Sequence, residues 1–284
     1  MSMRAPHRHT ARHIVSAPVA MRAALLGALV GGCAPDRGCS TAGRAGRVEY
    51  QTRYNGPAGT FSYLAARLAL GGSMRSRAIS SSTAYGSTVS SNPSIASVSS
   101  VRFIQQCCVE TGIGSFDCRE MPPADCAQRR GGVYAIWEEF DVTTLGPGVV
   151  DLVTHATDGT TIDSISLRVD PVASVSVERY VVADGGSFVP APNGSEILLS
   201  VGQRWFGRVQ LLADGGTPLH ADHEIALTFS MPGVAQVVQG ATTDGGVLQL
   251  GAGELFGIAA QASGQTAMVI VFRDLQRTSQ VRVP

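Results

Sequence analysis

The chain has 284 residues with 22 basic and 22 acidic side chains, and charged residues make up only 15% of it. Charge balanced in this way exerts no long-range pull on nucleic acid or an anionic surface, so any recognition has to come from local patches. Frequent glycine, few aromatics, abundant Val, Ser and Thr, and the lack of long Ala-Leu-Glu periodicities exclude a helical bundle and predict strands joined by turns, an all-β protein.

Residues 1–20 carry Arg4, Arg8 and Arg12 with His7, His9 and His13. They read either as a long basic n-region or as an extension ahead of a true start at Met21, and they stand outside the fold. One short basic tail is weak support for a nucleic-acid site, and no nucleic-acid partner is expected. Arg22, an apolar run over residues 23–30, and the small pair Gly31-Gly32 ahead of Cys33 have the layout of a secretory signal. The run falls short of the roughly twenty apolar residues that a spanning helix needs. Val30-Gly31-Gly32-Cys33 resembles a bacterial lipobox. That resemblance implies cleavage before Cys33 and lipid on Cys33, hence a membrane partner through the N-terminal lipid and a place in the bacterial cell envelope. Ala34, a residue other than Asp after the cysteine, points by the same resemblance to the outer membrane. A single acyl chain binds membranes only marginally, so a stable anchor carries more than one. Residues 1–32 are then leader and extension, and 33–47 a flexible tether.

After the tether the chain repeats itself. Leu70-Gly71 leading to Arg77-Ala78 returns as Val201-Gly202 leading to Arg208-Val209, with the spacing kept. The segment from Ser91 to Val98, Ser-x-Pro-small-β-branched-Ala-polar-Val, returns from Ser230 to Val237. Residues 149–157, with Gly159 two positions on, match 255–263, followed by Gly264; both copies close on Arg-Val strands, Leu167 to Pro171 and Val281 to Pro284. Four matches in one order predict two homologous units, 48–171 and 172–284. Ile165, Leu167 and Val169, like Ile225, Leu227 and Phe229, alternate with smaller or polar residues at the period of a half-buried strand. Asp-Gly pairs at 158, 184, 214 and 244 mark hairpin turns, and none sits in the ligand spacing of a calcium loop.

Between Val98 and Val149 the first unit holds about thirty more residues than the second holds between Val237 and Leu255. Cys107, Cys108, Cys118 and Cys126 all lie in this insertion, about 102–132. Export places them where disulfides persist, so two bridges are expected. Neighbours Cys107 and Cys108 are poor partners for each other, which leaves crossed or nested pairings to Cys118 and Cys126. Zinc is the rival reading, but the spacing is not that of a zinc knuckle. Cys39 is the odd cysteine beside the anchor. The insertion reads as a compact irregular excursion, with a strand resuming over 133–142, and an inserted, stapled loop on a rigid body is a place for a binding surface.

The repeats resemble bacterial immunoglobulin-like domains of the invasin and intimin type. The glycine after the first apolar strand, the Ser-x-Pro segment, the later glycine-preceded strand and the closing Arg-Val-Pro strand carry the resemblance. It implies two tandem immunoglobulin-like β-sandwiches, the first with a disulfide-stapled insertion, acting as a spacer or an adhesion or binding module for a protein or polysaccharide ligand. Neither copy has the tryptophan that family members often carry before the Ser-Pro segment.

Catalytic signatures are largely missing: no nucleophile elbow, phosphate loop, zinc-protease helix or dinucleotide fingerprint occurs. No catalytic, cofactor or metal residue is therefore expected. The closest candidate is His220-Ala221-Asp222-His223-Glu224, the only basis for an alternative reading as a metal-dependent hydrolase. In extended chain His220 and Asp222 share a face while His223 and Glu224 diverge, which favours a polar loop leading into the Ile225 strand. Glu138-Glu139 reads as a solvated strand edge, and Trp137 and Trp205 as packing aromatics. The sequon at Asn193-Gly194-Ser195 is moot in a bacterial lipoprotein, and the serine-rich run 80–100 is a strand with its turns. A third alternative is a purely structural part of an envelope assembly.

Overall fold

The computed structural model of the chain describes residues 42–53, 61–82, 84–112, 115–183, 187–192, 196–222, 224–239 and 247–284. The leader, Cys33, Cys39, the sequon, the Asp184 and Asp244 turns and His223 lie outside the described residues.

The first domain comprises β1 (Val48–Arg53), β2 (Phe61–Tyr63), β3 (Arg67–Ala69), β4 (Ser73–Ser80), β5 (Tyr85–Ser90), β6 (Ala96–Gly112), β7 (Ser115–Glu120), a single helical turn α1 (Pro123–Ala127), β8 (Gly132–Thr144), β9 (Gly148–Ala156) and β10 (Thr161–Asp170). The second comprises β11 (Ser174–Val182), β12 (Phe188–Ala191), β13 (Ile197–Leu198), β14 (Arg204–Leu212), β15 (Pro218–Leu219), β16 (Ile225–Phe229), β17 (Ala235–Gln239), β18 (Leu248–Leu250), β19 (Leu255–Ala260), β20 (Gly264–Phe272) and β21 (Leu275–Val283).

Each domain is a sandwich of two sheets. In the first, β2-β1-β4-β8-β6-β7 faces β3-β10-β9-β5; in the second, β12-β11-β14-β19-β17 faces β13-β21-β20-β16-β18, with β15 paired to β14. Within them sits the immunoglobulin order, A-B-E-D as β1-β4-β8-β6 or β11-β14-β19-β17, and G-F-C as β10-β9-β5 or β21-β20-β16. A short strand runs parallel to the last strand in both, β3 beside β10 and β13 beside β21. Strict alternation of buried and half-buried residues along β4 and β9 follows from the period-two pattern. Inward positions build one core around Tyr50, Phe140, Leu152 and Leu167, and another around Phe256, Phe272, Leu211 and Leu227.

The strand correspondence corrects one sequence match. Residues 149–157 belong to β9, the sixth strand of the sandwich, whereas 255–263 begin in β19, the fifth; the counterpart of β9 is β20. Neighbouring strands share the same alternation, so a slip of one strand leaves the pattern intact. The better marker is a glycine held at positive φ at the head of each sixth strand, Gly148 (φ 143°) and Gly264 (φ 147°). An added Cβ would meet Ile95 in one domain and Val234 in the other, the β-branched residue of the Ser-x-Pro segment in each copy. Gly71 and Gly202 likewise share a left-handed conformation (φ 77° and 81°) at the turn into β4 and β14.

Two further expectations are revised. The insertion is ordered β-structure, since β6 runs unbroken to Gly112 and strand β8 begins at Gly132, one residue before the expected start. Residues 42–47, expected in the tether, pack on the first domain: Gly43 and Arg44 donate backbone hydrogen bonds to Val48 and Ser164. The Asp163 carboxylate, almost wholly buried, accepts from the amides of Ala45 (2.7 Å), Arg47 (2.7 Å) and Val48 (3.0 Å). Gly43 is required beside it, because any Cβ would overlap the Asp163 carboxyl group.

Candidate functional site

Three features collect the polar chemistry of the described residues: a stapled ribbon at one pole of the first domain, a polar chain through its core, and the joint to the second domain.

The ribbon forms because β6 and β8 outrun the sandwich. Strand β4 ends its pairing at Ser80 opposite Ile136, while β6 and β8 continue together to Val109 opposite Gly132. Beyond that point β7 adds to the far edge of β6, from Gln106 opposite Glu120 to Gly112 opposite Ser115. Seven residues of β6 at about 3.3 Å each carry the ribbon about 20 Å past the body. Cys107 and Cys126, both buried, form a disulfide that ties α1 onto the ribbon. Cys108 is also disulfide-bonded, and the register sets Cys118 opposite it on β7. Gly132 lies over this staple, where a Cβ would meet the Cys126 carbonyl at 2.8 Å. Val101, Phe103 and Val133 are exposed along the ribbon and its root, and Phe103 leans on Tyr85 with ring centroids 5.9 Å apart. Val48, where the chain enters the fold, is paired with Ser80 and therefore lies at this same pole.

Glu138 is not on a solvated edge. It sits on β8 in the middle of a six-stranded sheet, 2% exposed, with its side chain directed between the sheets. One carboxylate oxygen accepts from the Tyr85 hydroxyl and from the Thr88 amide, both at 2.7 Å. Behind Tyr85 the hydroxyls of Thr88, Thr154 and Tyr50 follow at 2.8, 3.0 and 2.8 Å, so a line of donors ends on the one acceptor-only group. Burial, reinforced by the Glu138 charge, raises the Tyr85 phenol above its ordinary range, and burial does the same for Tyr50. The expected divergence of the pair is present: Glu139 lies on the opposite face of the strand. There Trp137 packs beneath the Arg77 guanidinium, 4.6 Å from the ring centroid. Trp205 is buried in the second core, where Gly207 leaves room for its ring.

The His220 to Glu224 segment is the joint. Backbone of His220 pairs with β3 of the first domain, its N–H to the Arg67 carbonyl (3.0 Å) and its carbonyl to the Ala69 N–H (2.9 Å). Asp222 donates its amide to the Ser73 carbonyl, and its Oδ2 accepts the Arg75 amide at 2.6 Å. The His220 ring bonds the other Asp222 oxygen at 3.0 Å. Glu224 Oε1 pairs with the Ser73 hydroxyl, while Oε2 is buried without a hydrogen-bond partner. Burial, with Asp222 adding to it and Ser73 and Arg273 opposing, pushes the Glu224 carboxyl from 4.5 up to about 7. Arg273, the one non-glycine at positive φ among the described residues, extends from the turn between β20 and β21 to the Gly71 carbonyl. Gly72 is flush against Ala221, and Ala69 of the first domain is part of the second domain's apolar core. These contacts show His220, Asp222 and Glu224 binding two domains together. The Ser73 hydroxyl faces Glu224 and not the imidazole, which is held by Asp222. Among the described residues no three His, Cys, Asp or Glu side chains converge as a metal site.

Sequence reasoning missed Asp163, Glu138 and the joint, since a lone acidic residue in an alternating strand has no local mark of the donors it will meet. The signal available for the joint was the Gly71-Gly72 pair, which has Gly202-Gln203 in the second copy. Gln203 there caps the Ser200 amide with its own side chain, at the position where Ala69 receives the second domain.

No protein-family model matches the chain, and no curated protein matches it. Among solved structures it is similar to domains 5-6 of the S-layer protein SbsC, at 10% identity over 77% of this chain and 93% of that one, TM-score 0.26. It is similar to the Yersinia pseudotuberculosis adhesin InvE, at 12% identity over 85% of this chain and 61% of that one, TM-score 0.29. It is equally similar to a glycosyl hydrolase family 2 member from Bacteroides cellulosilyticus, at 10% identity over 84% of this chain and 28% of that one, TM-score 0.28. Superpositions this loose, reaching adhesin and glycosidase alike, assign no function, and the functional reading rests on the geometry above.

Proposed function

We propose that this chain is a non-enzymatic cell-envelope module, lipid-anchored through Cys33, that presents the stapled ribbon of its first domain as a contact surface and carries the second domain as an extension. The observation that carries the reading is the ribbon itself, an ordered projection with Val133 exposed on it and Val101 and Phe103 exposed at its root, at the pole where the chain enters. With residues 42–47 latched by Asp163, the tether shrinks to residues 34–41, whose full reach is about 28 Å. The ribbon then works close to the membrane, at the base of the protein and not at its tip. The partner, protein or polysaccharide, is left to experiment.

Two measurements test it. Radiolabelled palmitate enters the wild-type chain and not Cys33→Ser. A photo-crosslinking residue placed at Phe103 captures envelope components in cells, whereas one at Val201, on the distal pole of the second domain, does not. Capture at Val201 alone reverses the assignment of the contact surface, and palmitate on the Ser variant removes the anchor.

A further inference from the structure

The joint presses two acidic groups of one second-domain loop against the first domain and leaves one of them short of a donor. Asp222 is fully used: one oxygen holds the Arg75 amide and the other the His220 ring. Glu224, two residues on, has a single partner in Ser73, and its second oxygen is buried with none. The charged and titratable groups around it are Asp222 and His220 on its own loop, Arg273 on the turn between β20 and β21, and Arg75 on β4. Arg75 is already held by Asp141 of β8 through a two-bond contact, one bond of 3.0 Å. Arg273 is directed to the Gly71 carbonyl. Neither arginine hydrogen-bonds Glu224, so an ionised Glu224 in the closed joint lies beside Asp222 of its own loop, with an oxygen that the first domain shields from water.

We infer that the joint is a proton-controlled hinge: with Glu224 protonated the two domains are locked into one body, and ionisation of Glu224 releases the second domain from the first. A protonated Glu224 can share its proton with the Ser73 hydroxyl through Oε1 and carries no charge to repel Asp222, whereas the carboxylate is relieved by exposure to water, which requires the joint to open.

The sign follows from the two states. In the closed joint the carboxyl titrates at about 7, and in the open joint it returns toward its ordinary 4.5. A group whose value is raised in the closed state stabilises closure fully below the open-state value, and that contribution is lost as pH rises through the closed-state value. The closing equilibrium therefore weakens between about pH 4.5 and 7, by on the order of a hundredfold in all, and is flat outside that window. The device is one of stiffness: a rigid pair in an acidic envelope and an articulated pair at neutral or alkaline pH.

The experiment is nuclear magnetic resonance on the full chain in weakly aligning medium, with the Glu224 carboxyl carbon followed in the same samples. At pH 5.5 the amide couplings of both domains fit one alignment tensor, and at pH 8.5 they need two, with the change tracking the Glu224 titration. Glu224→Gln, which keeps the shape of the protonated acid and cannot ionise, fits one tensor at both pH values. Amide dispersion within each domain stays unchanged throughout, which separates hinge opening from unfolding. A wild-type chain that fits one tensor at both pH values overturns the proposal, and so does a Gln variant that comes apart with the wild-type profile.

Discussion

Glu138→Ala tests the polar chain through the first core. The substitution removes the one acceptor shared by the Thr88 amide and the Tyr85 hydroxyl, both at 2.7 Å and both buried between sheets. A buried donor left without a partner costs about 1–3 kcal/mol. The Thr88 amide is left so, while the Tyr85 hydroxyl keeps the Thr88 hydroxyl at 2.8 Å; with the space left by the truncated side chain the loss is about 3–5 kcal/mol, a large part of the 5–15 kcal/mol that a domain of this kind has in total. Glu138→Gln keeps an acceptor oxygen in the same place and costs about 1 kcal/mol. Urea titration followed by tryptophan fluorescence reads both domains, because Trp137 lies in one and Trp205 in the other. With urea slopes of about 1–3 kcal/mol per molar, the Ala variant moves the first-domain midpoint down by about 2 M and leaves the second-domain transition in place. A loss below about 1 kcal/mol for Ala, or equal losses for Ala and Gln, refutes the view that Glu138 is the terminal acceptor of this line.

Other consequences are as specific. Gly72→Val places a branched side chain where even a Cβ would stand 2.9 Å from Ala221, so the joint opens: small-angle scattering shows a longer particle while each domain melts within about 1 kcal/mol of wild type. Asp163→Ala unlatches residues 42–47, and trypsin then cleaves after Arg44 and Arg47, sites that resist it in the wild-type protein; Gly43→Ala has the same effect through its overlap with Asp163. Replacing Cys107 and Cys126 by Ser removes a link across 19 residues, worth about 3 kcal/mol in the chain-entropy account. The loss is local: hydrogen exchange speeds up in residues 106–112 and 132–135, and the strands shared with β4 keep their protection.

The sandwich class was readable because its determinants are local and periodic. Alternation along β10, β16 and β21 needs only the next residue but one, and the left-handed glycines at 71 and 202 are demanded by the turn each occupies. The repeat was readable for the same reason, and its one slip, pairing the sixth strand of one copy with the fifth of the other, shows how little a period of two says about which strand is which. What lay beyond sequence was everything decided by meeting across the chain. Glu138 and Glu139 are adjacent and chemically identical, yet one ends a buried line of hydroxyls and the other lies on the outer face, because Tyr85 and Thr88 come from a strand 50 residues away. His220, Asp222 and Glu224 read as a crowded polar loop with a trace of catalytic chemistry. Only the docking of β3 and β4 against that loop assigns its carboxylates, one saturated with donors and one left short, and that difference in partners gives the joint its chemistry.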